Sequence, residues 1–230
     1  MKGFLSEQIM RETVELTGVV LLVQPVGEYD RRVVILTRER GKITAFAHGA
    51  RRPKSPLIAV TTPFVFARFS LFEGRDAYTL ATASAAEYFQ DLVKMQPGSF
   101  YGFYFLELAM YFGQEGDEAE EMVNLVFVAL KALERNAMKP ELIRRVYELR
   151  MLRINGVAEI PESEKGLGEG AFYAVRYAAY APLPRLFSFA LTKDAEESFT
   201  AFVRREMRRT VDRPFKSLAV IEAIRETEQK

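Results

Sequence analysis

A change of hydrophobic period close to residue 83 constrains this chain more than any other feature. Before it, apolar residues come in short runs cut by turn residues; after it, they recur every three or four positions. The first part holds five such runs. Gly18–Val26 ends at Pro25 and the turn Gly27-Glu28-Tyr29-Asp30. Arg32–Thr37 and Lys42–Ala47 flank a charged turn at Arg40-Gly41, and Phe64–Glu73 and Ala77–Ala81 flank Gly74-Arg75. Five strands with short turns inside residues 17–82 predict a small closed barrel of the OB type. The fourth run is apolar on both faces, with Val65, Ala67, Phe69 and Leu71 alternating with Phe64, Phe66, Arg68, Ser70 and Phe72. Such a strand is expected to line the barrel on one side and to be covered on the other.

Beyond the switch, Ser84–Lys94, Gly98–Gly113, Asp117–Arg135 and Pro140–Ile154 read as helices. Asp117-x-x-Glu120 has the form of a capping box, Pro140 suits a first helical position, and Asn155-Gly156 suits a stop. Gly98–Gly113 is apolar almost all round and is expected to be the central buried helix. From Glu159 to Pro184, scattered Gly and Pro residues predict an irregular segment. Two last helices, Asp194–Val211 and Ser217–Thr227, are separated at Pro214. The expected fold class is α+β: an OB-fold barrel over residues 1–82, then a helical domain over 83–230 with an irregular insertion at about 157–187.

Composition narrows the chemistry. The 230 residues include no cysteine and one histidine, His48, which removes disulfides, thiolate nucleophiles and Cys-based metal sites. A Ser-His-Asp triad would have to be built on that single histidine, which is read instead as a loop hydrogen-bonding group. No phosphate-binding G-x-x-x-x-G-K-[ST] loop occurs, and Gly166-Leu167-Gly168-Glu169-Gly170 has the wrong spacing. Catalysis by paired carboxylates stays open, because acids are abundant and their spacing says little. The expectation is a protein that is not an enzyme, with no cofactor and no metal. Mean hydropathy is -0.07 and no apolar run approaches a bilayer span. Met1 to Glu15 mixes charges with apolar positions, unlike a secretory leader, so a cytoplasmic protein is expected.

Net charge is only +1, but it is unevenly distributed. Arg31, Arg32, Arg38, Arg40, Lys42, Arg51, Arg52 and Lys54 face a single acid, Glu39, over the same stretch, while acids collect at 115–121 and 159–169. Arg51-Arg52-Pro53-Lys54 sets three cations on a stiff loop beside the barrel. Guanidinium groups meet phosphates bidentately and gain from counterion release, although a solvated loop has the same composition. Arg31, Arg32 and Lys42 form a second tier, since each also serves to blunt a strand edge. Tyr29, in a turn, is the better base-stacking candidate among aromatics that otherwise favour the core. Arg204, Arg205, Arg208 and Arg209 offer a secondary stripe. They also fit the helix macrodipole, with Asp194, Glu196 and Glu197 at the other end. Arg213 and Lys216 are either DNA contacts or a structural tie. Arg150 is expected to be half-buried and paired with Glu148 or Glu107.

Thr17 to Arg75 carries T-G-V-V-L, G-E-x-D-R-R, L-T-R-E-R-G-K-I-T-A-F-A-H-G-A-R-R-P-K-S and L-F-E-G-R. This stretch resembles the OB-fold domain of the RecO DNA-repair family. Similarity continues at Tyr104–Leu108, at Tyr147–Leu152 with Gly156 after it, and at Arg213–Leu218. The resemblance implies a mediator that binds single-stranded DNA, anneals complementary strands, and with RecR, in some bacteria also RecF, loads RecA onto DNA coated by single-strand-binding protein. It also implies contact with the acidic, hydrophobic-ended tail of single-strand-binding protein, with Arg144, Arg145 or Arg153 as receiving cations. Many relatives hold a four-cysteine zinc module in the region matching Asn155 to Arg185. Here that region is expected to fold on apolar contacts from Phe172, Tyr173, Tyr177 and Tyr180, or to be partly mobile. Alternative readings are an OB-fold RNA-binding factor and a protein adaptor whose basic patch receives an acidic peptide.

Overall fold

The computed structural model describes residues 12–228. The reading of Met1 to Glu15 as unlike a leader falls mostly outside them. Strands β1 (Thr13–Val26), β2 (Asp30–Thr37), β3 (Gly41–Ala47), β4 (Phe66–Phe72) and β5 (Tyr78–Glu87) close a barrel in the order β1-β2-β3-β5-β4. β1 is long because it serves both halves, pairing with β4 over Thr13–Val19 and with β2 over Gly18–Val26, with a register shift between Val20 and Leu22. Gly18 sits where the two pairings overlap. A Cβ there would lie 2.2 Å from the Leu36 carbonyl oxygen, so only glycine allows this approach. The closing seam, β3 against β5, is parallel and short: Ala45 with Tyr78 and Phe46 with Thr79.

β4 faces two cores, as expected. Val65, Ala67, Phe69 and Leu71 pack inside the barrel, while Phe64 and Phe66 belong to the helical core. Phe66 meets Phe127 edge-on at 5.1 Å between centroids and Phe89 at 5.6 Å, so the covering layer is helical. A short helix absent from the expectation, α1 (Leu57–Val60), adds Leu57 and Val60 to the barrel core.

Three boundaries move. Residues 81–87 continue β5 instead of opening a helix at Ser84, because β4 pairs with them through Glu87; only α2 (Gln90–Lys94) is helical there. The capping box at Asp117 does not form. α4 (Glu120–Glu134) begins after Ala119, whose N–H donates to the Arg38 carbonyl of the barrel at 2.9 Å. The insertion is not irregular throughout, since it contains α6 (Glu169–Tyr180). The apolar stripe of α6 is Ala171, Ala174, Val175, Ala178 and Ala179, at helical spacing but small enough to give little hydrophobic contrast in sequence.

The remaining helices are α3 (Gly98–Phe112), α5 (Pro140–Ile154), α7 (Lys193–Thr210) and α8 (Lys216–Glu228). α3 is deeply buried, but α5 is more so: every residue from Leu142 to Leu152 is buried. Tyr147 stacks on Phe105 at 4.2 Å, and its hydroxyl donates to the Phe105 carbonyl at 2.8 Å. The charged residues of α5 survive burial by satisfying one another. Glu148 accepts from Arg144 at 2.8 Å, from Arg145 at 2.7 Å and from the Tyr104 hydroxyl at 2.7 Å. Arg150 is buried, but not paired with Glu148 or Glu107. It donates to the carbonyls of Ala178 and Ala181 and lies 3.6 Å from Glu121, so it anchors the end of α6.

Candidate nucleic-acid interface

The turn between β1 and β2 and the loop after β3 are bound together at one end of the barrel. The Arg51 N–H donates to the Tyr29 carbonyl at 2.8 Å, and the Arg51 guanidinium reaches the Gly27 carbonyl at 3.3 Å. The Gly49 N–H donates to Asp30 at 2.8 Å, and His48 Nδ1 lies 2.7 Å from the other Asp30 oxygen. These contacts, the Gly49 amide first and His48 second, hold the Asp30 carboxyl below its ordinary value. His48 is thus a loop fastener, as read from sequence. The Arg52 guanidinium lies 5.2 Å from the Tyr29 ring centroid.

This fastening leaves a fixed cationic surface. Tyr29, Arg51, Arg52 and Lys54 are all exposed, and none of the three cations forms an ion pair among the described residues. Two turn bonds, Arg52 N–H to Gly49 and Ser55 N–H to Arg52, keep the segment compact. Lys54 takes a left-handed φ of 64°, which directs the chain out of the turn.

The second-tier residues separate. Arg31 points inward, and one guanidinium nitrogen donates to the Ile58 carbonyl at 2.9 Å and to the carbonyl and hydroxyl of Thr61, both at 2.8 Å. Burial, with Arg51 nearby, lowers its pKa from the ordinary value. Lys42 donates to the Met110 carbonyl of α3 at 3.1 Å. Both therefore tie elements together. Arg32 stays on the outer barrel face, bonded to Gln24 at 2.9 Å and Thr44 at 3.3 Å. Directly across the ladder from it stands Phe46, half-exposed and part of neither hydrophobic core. Phe66 and Phe69 are buried, whereas Phe46, Phe72 and Tyr78 are partly exposed, and of these Phe46 is the one paired with Arg32. The alternation along β3, with Ile43, Ala45 and Ala47 buried, is the signal that marks it.

The secondary cations do not extend this surface as one stripe. Arg205 and Arg209 pair with Glu206, and Arg209 also binds Glu159 at 2.6 Å. Arg204, Arg208 and Arg213 instead gather around a cavity of about 430 Å³, floored by Met207, Val211, Phe215 and Leu218 and backed by Arg144 and Arg145. Arg213 also lies 5.0 Å from the Tyr111 ring centroid. Lys216 is exposed at the start of α8, where the Ser217 N–H is held by Glu107 at 3.1 Å. Arg153 lies elsewhere, 3.9 Å from Glu121.

Asn155 to Arg185 offers no thiolate, and no group of three or more His, Cys, Asp or Glu that could hold a metal occurs among the described residues. The zinc module of the resemblance does not fit this chain. Its place is taken by α6, packed through alanines and pinned by Arg150 and by the Tyr177 hydroxyl, which donates to the Arg185 carbonyl at 2.8 Å. The expected apolar role of the four aromatics is corrected in part, since Tyr173 and Tyr180 are exposed on the opposite face of α6. No helix among the described residues is long and apolar enough to cross a membrane.

Comparison with known proteins agrees with this architecture. The family described as Recombination protein O N terminal matches residues 10–89, and that described as Recombination protein O C terminal matches residues 98–159. The DNA repair protein RecO of Acetivibrio thermocellus is 26% identical over 90% of this chain and 96% of its own length. That of Alkaliphilus metalliredigens is 35% identical over 63% of this chain and 58% of its own length. That of Symbiobacterium thermophilum is 32% identical over 72% and 66%. A five-stranded barrel fused to a helical body, matched by both halves of one family, makes this chain a member of the RecO family of DNA-repair proteins.

Proposed function

We propose that this chain is a non-enzymatic mediator that binds single-stranded DNA on its barrel, anneals complementary strands, and acts in the cytoplasm at the nucleoid. With RecR, and with RecF where that route operates, it helps load RecA onto DNA covered by single-strand-binding protein. One observation carries the reading: Arg51, Arg52 and Lys54 stand exposed, without ion pairs among the described residues, on a loop locked to the Tyr29 turn. Phosphates are the ligands such a cluster suits, and Tyr29 and Phe46 supply ring faces for bases beside them. Anisotropy of labelled oligonucleotides at several salt concentrations tests it. Replacing Arg51 and Arg52 with Ala is expected to weaken binding at every sequence and to flatten the log K against log salt slope by about 0.7 per lost contact. Unchanged affinity and slope would remove the loop from the site. Tighter binding of matched RNA would favour the RNA-binding alternative.

The cavity between α5, α7 and α8 is the proposed seat for the tail of single-strand-binding protein. Its apolar floor suits a hydrophobic chain end, and Arg204, Arg208 and Arg213 suit its acids. Arg144 and Arg145 contribute from behind while bound to Glu148. A tail peptide is expected to bind with micromolar affinity at low salt and to be released at high salt. No binding at low salt would remove this contact.

A further inference from the structure

The exposed face of α6 carries an aromatic and cationic stripe that neither the barrel surface nor the tail cavity uses. Tyr173 is 63% exposed and Tyr180 is 52% exposed, the two highest values among the large hydrophobic residues of the described chain. Seven residues apart on a helix, they share a face and stand about 10 Å apart along the axis. Arg176 lies between them, its guanidinium 5.8 Å from the Phe172 centroid and 5.6 Å from that of Tyr180. Arg153 of α5 approaches the same Tyr180 ring at 5.4 Å. Tyr180 therefore gathers two guanidinium groups, while the Tyr173 ring meets the Phe172 ring, tilted at 5.9 Å. Two acids border the stripe. Glu169 opens the helix four residues before Tyr173, and Glu121 is held by Arg150 and Arg153.

Packing does not account for this arrangement. The fold-bearing face of α6 is Ala171, Ala174, Val175, Ala178 and Ala179, and Arg150 pins the helix end from the buried side. Exposed ring faces interleaved with fixed cations are what a single-stranded nucleic acid requires, a stacking surface beside a place for phosphates. We propose that the α6 face is a second contact surface for single-stranded nucleic acid, with a base stacked on Tyr173 and backbone phosphates on Arg176 and Arg153. The ligand class rests on the function proposed above, while the location is independent of the barrel loop.

Photo-crosslinking of the full chain to single-stranded DNA carrying 5-iododeoxyuridine, followed by peptide mapping, tests the surface. Crosslinks are expected at Tyr173 and to persist when Arg51 and Arg52 are both Ala. In that background Tyr173→Ala is expected to weaken the residual binding roughly five-fold or more, with Tyr173→Phe restoring it and an unchanged melting temperature. Crosslinks confined to Tyr29 and the barrel would overturn the α6 surface and leave the barrel reading standing. No crosslink and no binding anywhere would overturn both. A stripe serving a protein partner instead would leave crosslinks and titration unmoved by Tyr173, which also overturns the proposal.

Discussion

Arg31 and Arg51 are both close to the barrel end, both cationic and both flagged by the same charge run, yet they do different work. Arg31 gives one nitrogen to three oxygens on α1 and the following turn, whereas the exposed Arg51 head reaches the Gly27 carbonyl at 3.3 Å. Replacing Arg31 with Met is therefore expected to cost about 1–3 kcal/mol in denaturant unfolding, chiefly by leaving the buried Thr61 carbonyl without its donor. Arg51→Ala is expected to leave stability nearly unchanged and to weaken DNA binding. The sequence shows the run of cations but not that Arg31 turns inward onto α1, because that helix, at four residues, is too short to show a period. A second residue-scale expectation concerns Glu148. Burial alone pushes its carboxyl up, but Arg144, Arg145 and the Tyr104 hydroxyl outweigh that and hold it below the ordinary carboxylate value. A depressed native pKa stabilises fully above the unfolded value, about 4.3, and is lost as pH falls through the native one. Glu148→Gln is expected to cost about 3–5 kcal/mol near neutral pH, since two buried guanidinium groups lose their counter-charge. The same variant should show a shallower loss of stability on acidification, measured by urea unfolding across pH.

At the scale of elements, the strands and long helices were legible because their apolar residues are large and regularly spaced. α5 was read at its observed limits, with Pro140 at the first turn and Asn155 at the stop. What escaped were elements built from small residues. Ala81 to Glu87 alternates Ala with Thr and Ser, a composition equally at home in a helix, and only pairing with β4 decides it. α6 hides for the same reason, its buried stripe being four alanines and one valine. The region has no cysteine and packs on that helix, so elemental analysis is expected to find no stoichiometric zinc and a chelator to leave the melting temperature unchanged. About one zinc per chain would overturn this and require a carboxylate-rich site. The close approach of α6 to α5 gives a complementary expectation. Ala178→Leu should cost about 1–3 kcal/mol by overpacking the contact beneath Arg150, read as a lower urea midpoint.

For the molecule as a whole, several hydrogen bonds join the barrel to the helical body. Arg38 donates to Asn124 at 2.9 Å, Lys42 to Met110, and the Lys42 N–H to the Gln114 carbonyl at 2.8 Å. Gly41, at φ 61°, leaves only 2.1 Å between a would-be Cβ and the same Gln114 oxygen, so the junction is built on that glycine. A barrel fixed to its body presents the Arg51–Lys54 loop in one orientation, which suits holding a strand while a second approaches. Two phosphate backbones repel, and a fixed cationic surface lowers that repulsion until salt screens it. Annealing of complementary oligonucleotides is accordingly expected to be accelerated without nucleotide or metal and to fade steeply with salt. It should slow more in the Arg51→Ala/Arg52→Ala variant than the small change in fold stability accounts for. The decisive assay coats DNA with single-strand-binding protein and follows RecA filament growth with this chain, with RecR, and with both. Faster growth only with both supports the mediator role. Firm DNA binding with neither annealing nor RecA assistance would instead favour an adaptor, its basic patch serving an acidic partner.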